Sequence, residues 1–475
     1  MPTLPAVQNL SLVRGLGPIA ATAIVVAGVI GTGVFLKSRV MTCNVELPWL
    51  VMAVWIVAGL LAMAGALTYG ELSAMMPRAG GEYVLIREAY GRLAGFLFGW
   101  MRFFIGNTGG IAALAFGLGI FLNVLLGGAL SAWSVDLHLA WSHVNVDGIK
   151  TVAIAAILVA TVINCAAVSV GGTVASILMV LKVIFVLGIG TVALLFGQGD
   201  WAHLTMSGAA GACEGVPADA RGGMAGAGAA MMAAMWAYNG WNELTYVAGE
   251  VRDPGRTLPR GLIGGLSIVA FLYVFVNATY FYVLTPTAVA SVAVGSTVAT
   301  EVVTHIFGQV ASSLLAGVFA VSVFSSLQVT SMVTARVPYA MAQEGLFFAP
   351  LSRLSPRTKV PIRALVAQAA WASVLVLSGS FDTLTDYAMF AILGFVGMAT
   401  ASVFVFRRRW PDVERPYRTW GYPVVPLLAL GVTTWLLVNT LVTAPRQALA
   451  GLVLIALGLP FYWYWSRAAE ESRRV

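Results

Sequence analysis

The chain has 475 residues, of which 59% are hydrophobic and only 10% are charged. Soluble domains are nearer a quarter charged, so this composition excludes a water-coated globule and makes about 20 apolar residues per bilayer crossing the useful ruler. The net charge of +7 does not indicate nucleic acid, because the arginines lie in short loops between apolar runs and form no basic stripe. Cys43, Cys165 and Cys213 have neither metal nor redox spacing, so no zinc site and no disulfide framework is expected.

In chain order, residues 1–16 read as a cytoplasmic lead-in rather than a cleaved signal. Apolar runs follow at 17–36, 47–70, 94–127, 151–169, 173–197, 226–250, 261–285, 309–335, 362–379, 385–406, 425–443 and 447–465. These predict an all-α membrane protein with about twelve crossings, a loop at 198–225, a cytoplasmic loop at 407–424 and a tail at 466–475. Of the 27 Lys and Arg residues, Lys37, Arg39, Lys150, Arg221 and Arg446 fall on one side and Arg102 and Lys182 fall within runs. The other twenty fall on the opposite side, which places both termini in the cytoplasm, with the inner membrane as the expected location.

Two runs look interrupted. The first reads AIVVAGVIGTGVF, with Gly28, Gly31 and Gly33 at its middle; the sixth reads MMAAMWAYNGWNELTYVAGE, with the turn dipeptide Asn239-Gly240. Non-helical backbone survives at membrane depth only where it lines a cavity. A spaced glycine pair could mark close helix packing instead. Interruptions five crossings apart, however, fit two inverted five-helix repeats, 17–197 and 226–406, with helices 11 and 12 (425–465) outside them. Free N–H groups at such a break suit a carboxylate and freed carbonyls suit an ammonium, so an α-amino acid fits between them.

Four strings carry a family resemblance: GVIGTGVF (Gly28–Phe35), YGELSAMMPRAGGEYVLIREAYG (Tyr69–Gly91), WAYNGWNELTYVAGEVRDPGRTLPRGL (Trp236–Leu262) and RPYRTWGYPVVPLLAL (Arg415–Leu430). In this order and at these crossings, they make the chain resemble the amino acid–polyamine–organocation transporters, near the bacterial relatives of the L-type amino acid transporters. The resemblance implies the leucine-transporter fold. It implies that the N–H groups of Gly31, Thr32 and Gly33 take the substrate carboxylate. The carbonyls of Val29 and Ile30, with those near Trp236, Ala237 and Asn239 beside Gly240, would take the amino group, and Trp236 would be the gate. Asn239 stands where family members often have Gly, Ser or Asp.

Lys182 lies about ten residues into the fifth run, where a charge costs about 2.5–3.5 kcal/mol or more. It is expected to point at the break in helix 1. Family members carry a lysine at this place, which implies that its ammonium replaces a sodium ion. Glu71 is expected to be a structural contact at an interface. For Glu243 two readings stay open, the inner vestibule and an ion pair with a loop arginine.

The function expected is a sodium-independent carrier of amino acids, neutral ones favoured, working as an exchanger or coupled to protons. A carrier of cationic amino acids or polyamines is the alternative. A channel or non-transporting receptor is the alternative of another class. A membrane enzyme would need a catalytic constellation that the spans lack. No cofactor is implied. Animal relatives are disulfide-linked to a heavy chain through a Cys between helices 3 and 4; residues 128–150 contain none, so a monomer or homo-oligomer without that partner is expected.

Overall fold

The computed structural model describes residues 12–139, 142–166, 168–208, 211–294, 296–378 and 381–474; most of the expected lead-in, residues 1–11, lies outside them. The first run is two helices, α1 (Pro18–Val29) and α2 (Gly33–Val45), bent by 41°. α3 (Pro48–Met75) follows, then the short α4 (Glu82–Tyr90). The third run is α5 (Arg92–Met101), a π-helical turn Arg102–Gly106 and α6 (Asn107–Leu125). Next come α7 (Gly148–Asn164) and α8 (Val168–Phe196). The sixth run is α9 (Gly223–Ala237), a turn and a 3-10 segment Trp241–Glu250. After α10 (Pro254–Val283), the short helices α11 (Pro286–Ala290) and α12 (Val298–Phe307) precede α13 (Gln309–Thr334), which runs into α14 (Arg336–Gln343). α15 (Ile362–Ser378), α16 (Phe381–Arg409), α17 (Val424–Thr443), α18 (Pro445–Ala456) and α19 (Gly458–Arg474) complete the chain.

Among the described residues, eight helices are long and apolar enough to cross a bilayer, nine if the bent α1–α2 pair is one span. The fourth, sixth and ninth runs form α7, α9 and α15, of 17, 15 and 17 residues. The α3 sequence shows how a span divides its faces. Val51, Val54, Trp55, Ala58, Ala62, Ala66 and Tyr69 recur at helical spacing and are buried, while Ile56, Val57 and Leu60 on the other side are exposed, as a lipid face requires. α3 packs along α10, α6 along α13 and α2 along α9. These are the second and seventh, third and eighth, and first and sixth runs.

Three sequence expectations need correction. The chain is not wholly α: within 128–150, β1 (Ser134–Leu139) and β2 (Ser142–Asp147) form an antiparallel hairpin, with Ser134 opposite Asp147. SVDLHL alternates polar and apolar residues throughout and SHVNVD does so from His143 onward, the period of two that a strand requires.

The first span does not end at 36. It continues to Val45, so Lys37 and Arg39 are helical rather than in a loop. Two of its polar side chains find donors or acceptors inside the fold: Ser38 Oγ donates to Asn277 Oδ1 at 2.5 Å and Asn44 Nδ2 to the Ala220 carbonyl at 2.7 Å.

Finally, Cys43 and Cys213 form a disulfide. Their separation of 170 residues hides the pair from any local spacing rule; the end of α2 meets the loop before α9 and brings them together. Thiol labelling of the denatured chain should therefore rise from one site, Cys165, to three on reduction. Three labelled sites before reduction would refute the bond.

Glu71 anchors the loop after α16 to the end of α3. Arg407 Nη2 donates to its carboxylate at 2.7 Å, Arg415 Nε lies at 3.2 Å, and the Thr419 backbone N–H donates at 2.7 Å.

Candidate functional site

The two interruptions face each other. α1 ends at Val29, Ile30 leaves the helix with ψ 82°, and α2 restarts at Gly33. Opposite, α9 ends at Ala237 and the chain turns through Gly240 at φ 108°, a conformation that favours glycine. The approach is close: a Cβ on Gly33 would lie 2.6 Å from the Cα of Ala237. Because the Ala237 Cα is backbone and a Cβ is fixed by the backbone that bears it, neither can rotate away. Gly33→Ala should therefore separate the breaks and cut uptake at least tenfold, measured in vesicles with matched protein content; near-normal uptake would show the contact to be dispensable.

Between the breaks lies a small cavity. Its walls include Gly28, Val29, Gly31, Thr32 and Gly33 of the first break, and Trp236, Asn239, Gly240 and Glu243 of the sixth run. Arg102, Gly106, Asn107, Gly110 and Leu114 come from the third run and Thr330 from α13. Seven of the nine sequence-derived substrate residues thus line one space. Ile30 and Ala237 do not.

The freed backbone groups are divided among partners. The Gly31 N–H, expected to face a carboxylate, donates to the Val29 carbonyl at 2.7 Å. The Thr32 and Gly33 N–H groups begin a helix, where no preceding turn supplies acceptors. The Thr32 hydroxyl, the Asn107 amide nitrogen and Arg102 Nε are buried with no hydrogen-bond partner among the described residues. All three belong to cavity-lining residues, which gives the cavity donors in search of an acceptor.

On the carbonyl side, Lys182 Nζ donates to the carbonyls of Ala27 at 2.8 Å and Ile30 at 2.5 Å and to Ser326 Oγ at 2.7 Å. The lysine is 2% exposed. Its ammonium therefore sits behind the break, on the carbonyls that helix 1 gives up. The Tyr273 hydroxyl, from α10, lies 3.0 Å from the Val29 carbonyl and 2.9 Å from that of Ala237, and so links the two breaks.

Below Arg102 lies a buried polar hub. Glu82, at the start of α4, accepts from Arg102 Nη2 at 2.8 Å, Tyr69 OH at 2.6 Å, Asn242 Nδ2 at 2.8 Å and Tyr246 OH at 2.7 Å. Sequence reasoning counted Arg102 only as one of the charges and passed over Glu82. An Arg inside an apolar run is a functional signal by itself, and it could have identified this corner. Ser326, Tyr273, Asn107 and Thr330 left no comparable mark, because hydroxyls and amides are ordinary in membrane helices. The open question over Glu243 resolves toward the cavity: Thr330 donates to it at 3.2 Å, and it forms no ion pair among the described residues.

The described residues include no group of three or more His, Cys, Asp or Glu placed to hold a metal. Similarity to known proteins agrees with this architecture along the whole chain. It is 29% identical to the serine/threonine exchanger SteT of Bacillus subtilis over 96% of its length and 98% of that protein. It is 27% identical to mouse b(0,+)-type amino acid transporter 1, covering 96% of this chain and 88% of that one. Human large neutral amino acids transporter small subunit 2 is likewise 27% identical, over 96% and 82%. The amino acid permease family model matches residues 16–462, so this multi-pass membrane protein belongs to the amino acid permease family.

Proposed function

We propose that the protein is a sodium-independent exchanger of neutral L-amino acids, working by alternating access around the cavity between the two breaks. The observation that carries this reading is the pairing of an N–H-presenting helix start at Thr32–Gly33 with a lysine ammonium on the carbonyls of Ala27 and Ile30. The first suits a substrate carboxylate. The second fills a ring of three oxygens that would otherwise suit a monovalent cation, so no sodium ion is needed to hold the break. Val29, Gly31, Thr32, Gly33, Trp236, Asn239 and Gly240 form the substrate site, with Trp236 as its gate; Ile30 and Ala237 support it from behind.

The fold reading that goes with this is twelve crossings, with α7, α9 and α15 counted as spans, arranged as two inverted repeats over 17–197 and 226–406. The packing of the first, second and third runs against the sixth, seventh and eighth supports it, since partners five apart are what such a repeat produces. Both termini lie in the cytoplasm and the membrane is the inner one. The Cys43–Cys213 disulfide supports this orientation, because it falls on the side away from most arginines and disulfides persist outside the reducing cytoplasm. It also uses two of the three cysteines, and 128–150 has none, which favours a chain without a disulfide-linked partner.

Uptake of radiolabelled L-serine into proteoliposomes tests the reading. Uptake should require unlabelled amino acid inside and be the same in sodium and in potassium. Uptake into empty vesicles driven by an inward proton gradient would replace exchange with proton coupling. Dependence on sodium would overturn the role given to Lys182.

A further inference from the structure

Part of the carbonyl set expected to receive the substrate's ammonium already has donors from the protein. Lys182 holds those of Ala27 and Ile30, and the Tyr273 hydroxyl, with its single proton, donates to that of Val29 or that of Ala237. Glu243 presents its carboxyl group to the same cavity. Its Oε2 would be 3.9 Å from a Cβ on Gly28, immediately beside the first break. It is 5% exposed, and its one recorded hydrogen bond comes from the Thr330 hydroxyl.

Arg102 shares the cavity but does not neutralise Glu243. Its guanidinium bonds Glu82 at 2.8 Å, and no ion pair to Glu243 forms within 4 Å. Arg102 is hydrogen-bonded to Glu82, so Glu243 has no bonded cation of its own among the described residues. A buried carboxyl must either meet a cation or hold a proton, and no described residue forms an ion pair with this one. A cation that enters the cavity with each transport cycle would meet this need.

We propose that Glu243 is the counter-ion of the substrate's α-ammonium group. This assignment rests on the reading of the protein as an amino acid transporter and deepens it. The substrate lies with its carboxylate toward the Thr32 and Gly33 N–H groups and its ammonium toward Glu243 and the Gly28 backbone. The class recognised is then the α-amino acid as a zwitterion. Hydroxy acids of the same shape are rejected because they leave Glu243 unpaired, and a charge-assisted hydrogen bond is about twice as strong as a neutral one.

The test uses the full-length protein in proteoliposomes and the inhibition of radiolabelled L-serine uptake by three unlabelled compounds. These are L-serine, glycerate (its α-hydroxy analogue) and L-lysine. The wild type should be inhibited by L-serine at least a hundredfold better than by glycerate. In Glu243→Gln, which keeps the shape and the Thr330 bond, that preference should fall at least tenfold, through weaker L-serine binding and glycerate binding that is equal or tighter. If Glu243→Gln does not reach the membrane, Glu243→Asp withdraws the charge by one methylene and should lower the same preference several-fold.

An unchanged preference overturns the proposal. So does a variant that loses only its inhibition by L-lysine, which would assign the carboxylate to a cationic side chain. Absence of wild-type uptake of any amino acid would instead remove the transport reading itself, an outcome distinct from wild-type uptake with an unaltered variant.

Discussion

Replacing Lys182 by methionine should reduce amino acid uptake about a hundredfold while leaving the protein in the membrane. Methionine keeps most of the volume of the side chain, so the change removes donors rather than opening a cavity. The lysine Nζ serves three acceptors, two of them carbonyls of the break in helix 1. Ser326 remains beside both carbonyls, but its hydroxyl has a single proton and can satisfy only one at a time. Each buried acceptor left without a donor costs about 1–3 kcal/mol, and about 1.4 kcal/mol is a factor of ten. The arrangement of residues 27–33 on which the proposed substrate site depends then ceases to be the favoured one. Initial uptake rates at matched protein density would measure the effect. Rates within twofold of wild type would show that the ammonium does not hold the break.

Much of this site was legible because the constraint behind it is severe. Lipid tolerates no unpaired backbone, so glycines crowded at Gly28–Gly33 and an Asn239-Gly240 turn in mid-span pointed to a cavity before any coordinates. Lys182 was legible for a related reason: a charge at that depth needs a reason to be there, and the carbonyls of Ala27 and Ile30 are that reason. What stayed hidden depends on distance in sequence. Cys43 meets Cys213, Glu71 meets Arg407, and Glu82 meets Asn242 and Tyr246, with nothing in either local string to name its partner. Glu243 stayed ambiguous because a carboxylate after a break can equally reach a loop arginine or the cavity. Only the placement of Arg102 on Glu82 removes the competing cation. The span limits failed at Lys37 for the opposite reason: hydropathy ends there, but the helix continues because its polar residues find partners inside the protein.

The Glu82–Arg102 pair should dominate the stability of its end of the bundle. Both side chains are almost fully enclosed, at 0% and 1% exposure, and Glu82 gathers donors from α3, the π-helical turn and the segment after α9. Breaking a buried pair by removing one partner costs about 3–5 kcal/mol, because the remaining charge is stranded. Glu82→Gln and Arg102→Gln should each lower the melting temperature in detergent far more than Arg78→Ala. Arg78 lies 3.6 Å from Glu88 with its side chain 65% exposed, in a setting where a pair contributes about 0–1 kcal/mol. The double variant is the sharper measurement. With both charges gone nothing is stranded, and two amides can keep part of the hydrogen bonding to Tyr69, Asn242 and Tyr246. Its melting temperature should lie above that of either single variant. If the two losses instead add, the residues do not act as a pair, and Arg102 would be free to serve as the cation for Glu243.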